Sequence, residues 1–103
     1  MINCSKCGNP LGKGEQDGPV AVICGGIMGD EYIESWYFCA GCQVYTKENY
    51  RDRFSGDDDV SGQGPIDKAT GDAKVALIQQ CPRPRSKRCR CPAHREYFGG
   101  WLD

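Results

Sequence analysis

Eight cysteines fall in a chain of 103 residues, and four of them form two evenly built pairs. Two residues separate Cys4 from Cys7 and Cys39 from Cys42, with 31 residues between the pairs. A two-residue gap lets the backbone turn so that both sulfurs face one ion while backbone N–H groups point at them. Two such turns joined by a β-hairpin complete a tetrahedral thiolate cage. The rest of the composition makes such a cage necessary. Only 17 residues are Leu, Ile, Val or Phe, below the roughly 20% found in chains that fold on an apolar core alone. Order in this chain is therefore expected to come from metal ligation. A net charge of −1 is too small to argue for disorder, and no run approaches the ~20 apolar residues that span a bilayer.

Gly8 follows Cys7, where a residue tolerating positive φ eases the turn. Cys4-Ser5-Lys6-Cys7-Gly8 and Cys39-Ala40-Gly41-Cys42 together resemble the two knuckles of a zinc ribbon, a likeness that covers about residues 1–46. It departs at Gln43, where a second knuckle glycine is common. The resemblance implies a structural Zn2+ held by Cys4, Cys7, Cys39 and Cys42, and no single function. Rubredoxin is the rival, because an iron–tetrathiolate site uses similar pairs. Its proline before the second knuckle is missing, since 34–38 reads Glu-Ser-Trp-Tyr-Phe.

A second donor set lies near the C-terminus. Cys81, Cys89, Cys91 and His94 supply three thiols and the chain's only imidazole. Cys3His is a closed structural combination for zinc, so two Zn2+ ions are expected, with iron or an iron–sulfur cluster as the alternative. Arg83, Arg85, Lys87, Arg88, Arg90 and Arg95 surround these cysteines, and cations favour the thiolate form that a metal needs. Cys24 is left over. It is expected as a small buried hydrophobe, with replacement of Cys81 as a ligand the other reading.

Between the clusters, the β-branched stretch 20–26 reads as one strand, 31–38 as a second, and 43–46 as a short third. Residues 47–54 read as a strand extension or a helical turn. Four glycines, a proline and the run Asp57-Asp58-Asp59 make 55–73 a loop or linker, with room for a brief strand near Val60. A helix over 73–80 capped by Asp72 follows, for which a buried strand is the competing reading. The expected fold is small and β-rich: a three-stranded zinc ribbon over 1–54, a linker over 55–73, and over 74–103 one short helix with an irregular Cys3His zinc-bound loop packed on the ribbon.

The first residues carry no apolar signal core, which predicts a cytoplasmic chain. Residues 1–80 carry 7 basic and 12 acidic groups, whereas 81–103 carry 6 and 2. The basic segment is a candidate contact for anions or nucleic acid, with Tyr97 or Trp101 for base stacking. Its competing use is to pair with Asp57, Asp58 and Asp59. His94-Arg95-Glu96 matches half of the zinc deaminase signature, but no Pro-Cys-x-x-Cys follows it. With the lone histidine assigned to metal, catalysis is not expected. The expected role is a non-catalytic interaction module that contacts a protein partner or nucleic acid. An electron carrier and an accessory subunit of a larger enzyme are the alternatives.

Overall fold

The computed structural model describes residues 2–8, 10–11, 19–27, 29–53, 56, 58–86 and 88–99. Strands β1 (Ile2–Asn3) and β2 (Pro10–Leu11) make a small antiparallel pair beside the first knuckle. The main sheet is antiparallel, four-stranded and in chain order: β3 (Ala21–Ile27), β4 (Asp30–Cys39), β5 (Val44–Asp52) and β6 (Asp58–Asp67). Helices α1 (Lys68–Gln80) and α2 (Pro92–Tyr97) follow.

The first two expected strands hold to within a residue, because their β-branched and aromatic content suits a half-buried pleated surface. The third runs on through residues 47–52, so that of the two readings of this stretch the strand extension holds. The loop expected over 55–73 is overturned. Residues 58–67 are a strand and 68–73 already belong to α1. The physical reason is position: β6 lies at the sheet's edge and is exposed almost throughout, so it shows no apolar alternation. Its order comes from the ladder with β5, in which Tyr50 faces Val60 and Asn49 faces Ser61. The helix expected from 73 begins at Lys68. Its cap is Asp67, whose carboxylate accepts from the Thr70 amide at 3.0 Å, not Asp72.

One face of the sheet and the two helices enclose the core of Ala21, Ile23, Trp36, Tyr45, Val75, Ile78 and Phe98. Tail and sheet thus share one apolar cluster. Trp36 donates its indole N–H to the Tyr97 hydroxyl at 2.9 Å, and that hydroxyl donates to Glu34 at 2.9 Å. Tyr45 anchors α1 by giving its hydroxyl proton to Asp72 at 2.6 Å, which pushes the phenol's pKa up to about 12, burial being the larger cause.

The Tyr45 ring explains why α1 carries a glycine, Gly71, at its fourth residue. A Cβ there would stand 2.0 Å from Tyr45 Cδ2. In an open helix Gly→Ala gains about 1 kcal/mol. Here the ring is buried and its hydroxyl is tied to Asp72, so it cannot swing aside. Gly71→Ala is therefore expected to destabilise the fold by roughly 1–3 kcal/mol, read as a lowered urea midpoint. A raised midpoint would show that α1 does not need this close approach.

Candidate metal centres

The two knuckles are built alike. Cys4 C=O accepts from the Gly8 amide at 2.9 Å, and Cys39 C=O accepts from the Gln43 amide at 2.8 Å. In both, the residue after the second cysteine takes a left-handed conformation: Gly8 at φ 78° and Gln43 at φ 56°. Gln43 departs from glycine in sequence but not in geometry. Its side-chain amide reaches back to the Ala40 carbonyl at 2.7 Å and closes the turn.

The hairpin of β4 and β5 presents the second knuckle, while the first docks on the sheet through Ser5. The Ser5 amide donates to Thr46 Oγ1 at 3.0 Å, and the two hydroxyls share a hydrogen bond at 2.8 Å. Thr46 lies where the β5–β6 register slips between Tyr45 and Lys47. Gly64 of β6 faces this contact. A Cβ there would sit 2.3 Å from Ser5 Oγ, so the knuckle seats only because that side chain is absent.

These contacts bring the sulfurs of Cys4, Cys7, Cys39 and Cys42 within 4.8 Å of one another. Cys7 and Cys39 Sγ are 3.9 Å apart. A tetrahedron with Zn–S bonds of about 2.3 Å has edges of roughly 3.8 Å, whereas a disulfide bond is about 2.05 Å. Protonation follows the crowding. Burial opposes ionisation of Cys4, yet the Cys7 and Lys6 amides aimed at its sulfur, with thiol contacts from Cys7 and Cys39, bring it down to about 6. Contact with Cys7, then burial and the remaining thiols, pushes Cys42 up to about 12. One sulfur is thus held below the ordinary thiol range and another above it. That is the chemistry of a donor set that fits a dication.

In the second cluster the donor atoms of Cys81, Cys89, Cys91 and His94 likewise lie within 4.8 Å of one another. Cys81 Sγ stands 3.5 Å from Cys89 Sγ, 3.3 Å from Cys91 Sγ and 3.4 Å from His94 Nδ1. Cys91 also caps α2, its sulfur accepting from the His94 amide at 3.3 Å, a bond that lowers its pKa. Burial, with contacts from Cys91 and Cys89, pushes Cys81 up to about 12.

His94 is fully buried, and the chain selects its tautomer. Its Nε2 lies 2.5 Å from the Cys24 carbonyl oxygen, which can only accept. The ring proton is therefore on Nε2, and Nδ1 presents a lone pair to the cysteine sulfurs. This outer-sphere bond is the usual means of orienting a ligating imidazole. The Cys24 amide donates to Pro84 C=O at 2.7 Å, so the same peptide unit also fixes the tail. The structure brings together the eight side chains expected as donors, in two groups of four, while the part played by the backbone of Cys24 had no signal in the sequence. The Cys24 side chain is buried and stands outside the cluster, and Cys81 takes the place considered for it.

The arginines Arg83, Arg85, Arg88, Arg90 and Arg95 are exposed, while Lys87 lies outside the described residues. Arg90 donates to the Cys89 carbonyl at 2.9 Å. The expected pairing of this segment with the aspartate run is not formed among the described residues. Asp58 accepts from the Tyr50 hydroxyl at 2.9 Å and Asp59 pairs with Arg53. Asp57 lies outside the described residues. Tyr97, expected as a stacking platform, is engaged with Trp36 and Glu34; Trp101 lies outside the described residues. Among the described residues no helix is long and apolar enough to cross a membrane.

Two closed four-donor clusters on a small β-rich scaffold of four main strands and two helices define this class of structure, with knuckles resembling those of zinc-ribbon and zinc-finger proteins. No family model, curated protein or solved structure matches the chain.

The left-handed position at Gln43 yields a test. Gln43→Val puts a β-branched residue where L side chains are strained and should cost about 1 kcal/mol or more. Gln43→Gly should leave thermal stability unchanged or raise it. Equal melting temperatures for the two variants would contradict the knuckle geometry.

Proposed function

We propose that this protein is a non-catalytic interaction module whose fold is held by two structural zinc ions, and that it meets a protein or nucleic-acid partner through its metal-braced basic loop. Cys4, Cys7, Cys39 and Cys42 hold one ion, and Cys81, Cys89, Cys91 and His94 hold the other. The observation that carries this reading is the closure of both donor sets. Four protein donors fill a tetrahedron, so no position is left for a water or substrate, which is how structural zinc sites differ from catalytic ones. The imidazole tautomer fixed by the Cys24 carbonyl supports the same reading at the second site. Each ion supplies charge neutralisation and cross-linking.

In small domains such an ion contributes an apparent ~10–16 kcal/mol, as large as the net stability of an ordinary domain. Elemental analysis is expected to find two zinc ions per chain, and Cys39→Ser to lose one together with the ribbon's circular dichroism signal. An iron–thiolate absorption, or an unchanged melt after verified metal removal, would overturn the reading. Cys42 keeps its proton at neutral pH in the metal-free site, so zinc must displace it. Zinc affinity should therefore fall as pH is lowered from about 8 to about 6, checked by competition with a chromophoric chelator.

A further inference from the structure

Residues 82–86 and 88–90 are not a slack basic tail. Two successive turns shape them, the Ser86 amide donating to Arg83 C=O at 3.1 Å and the Cys89 amide to Ser86 C=O at 3.1 Å. The bond between Pro84 and Cys24 fixes the first turn to the sheet. Arg83, Arg88 and Arg95 each lie within two residues of a donor, and the donor atoms are gathered within 4.8 Å. The gathered donors thereby bring the chain segments that carry these three arginines together. Arg85 sits within the first turn, between them in the chain. All four are exposed, and of the acidic run expected to pair with them Asp58 is engaged by Tyr50 and Asp59 by Arg53.

Among the described residues the loop exposes no aromatic side chain to a partner, its exposed apolar groups being the rings of Pro82 and Pro92. Cys81, Ala93, His94 and Phe98 are buried, and Tyr97 is held by Trp36 and Glu34. Protein interfaces draw their energy from large apolar and aromatic anchors at their centre, which are missing from the described residues of this segment. Contact with a phosphate backbone needs only charge and donors, and guanidinium forks match phosphate oxygens bidentately.

We infer that the loop braced by the Cys81, Cys89, Cys91 and His94 cluster binds the phosphate backbone of a nucleic acid, without regard to sequence, through Arg83, Arg85, Arg88 and Arg95. The inference rests on the proposed zinc-held module and names its partner. Four phosphate contacts imply a log–log salt slope of about −3.6, a loss of roughly 100-fold in affinity between about 50 and about 200 mM salt.

The test is fluorescence anisotropy of the full, zinc-loaded chain with a labelled mixed-sequence DNA duplex, and with labelled polyglutamate as the protein-like polyanion. Zinc content is measured on the same samples. Arg83→Gln/Arg85→Gln and Arg88→Gln/Arg95→Gln should each weaken duplex binding and reduce the slope by about 1.8, whereas Lys68→Gln on α1 should change neither. Salt-independent retention, unchanged binding by both double variants, or polyglutamate binding as tightly as the duplex would overturn the inference. Two zinc ions per chain with no duplex binding would defeat this inference alone. Fewer than two ions in the unmodified protein would defeat the reading beneath it.

Discussion

Mutual repulsion among thiolates held close together is the constraint on which the molecule is built. Each of the two clusters gathers its four donor atoms within 4.8 Å. Like charges this close oppose full ionisation of the group, and its members Cys4 and Cys42 are shifted in opposite directions. The apolar core is small, a few side chains between one sheet face and two short helices. Coordination and packing therefore act together. The first cluster ties the N-terminal knuckle to the β4–β5 hairpin, and the second ties the chain after α1 to the opposite side of the sheet.

The two centres join the scaffold by different means. At the first, side-chain hydroxyls do the docking, with Ser5 on Thr46 at a register slip and Gly64 leaving the space. At the second, a backbone peptide does it. In an antiparallel strand the N–H and C=O of one residue point to the same side. At Cys24 that side faces away from β4, so the strand offers the tail one donor and one acceptor. Pro84 takes the donor and His94 the acceptor. Any small side chain at position 24 would preserve this arrangement, since only the main chain is used.

The donors were legible in sequence because thiol and imidazole spacing is a local property, set by how far a few residues of backbone can reach. Strands β3 and β4 were legible for a related reason, their β-branched and aromatic residues being half buried. Strand β6 was not. Its Asp58-Asp59-Val60-Ser61-Gly62 run carries the signals of a loop, and only the partner strand makes it regular. The start of α1 was hidden by Gly71, which looks like a breaker until the Tyr45 ring is seen against it. The tautomer of His94 depends on a carbonyl 70 residues away in the chain, which no local pattern encodes.

The peptide unit at Cys24 also guards a vulnerable border. Among the described residues β3 is the outermost strand on its side, and the segment bearing Pro84 and His94 covers its main-chain groups at this point. Open strand borders recruit other chains into shared sheets. On the proposed two-zinc reading, a molecule lacking the second ion would uncover such a border while the other strands were still paired. Its characteristic failure would then be self-association into extended assemblies, with the ion serving as a safeguard of solubility as much as of shape.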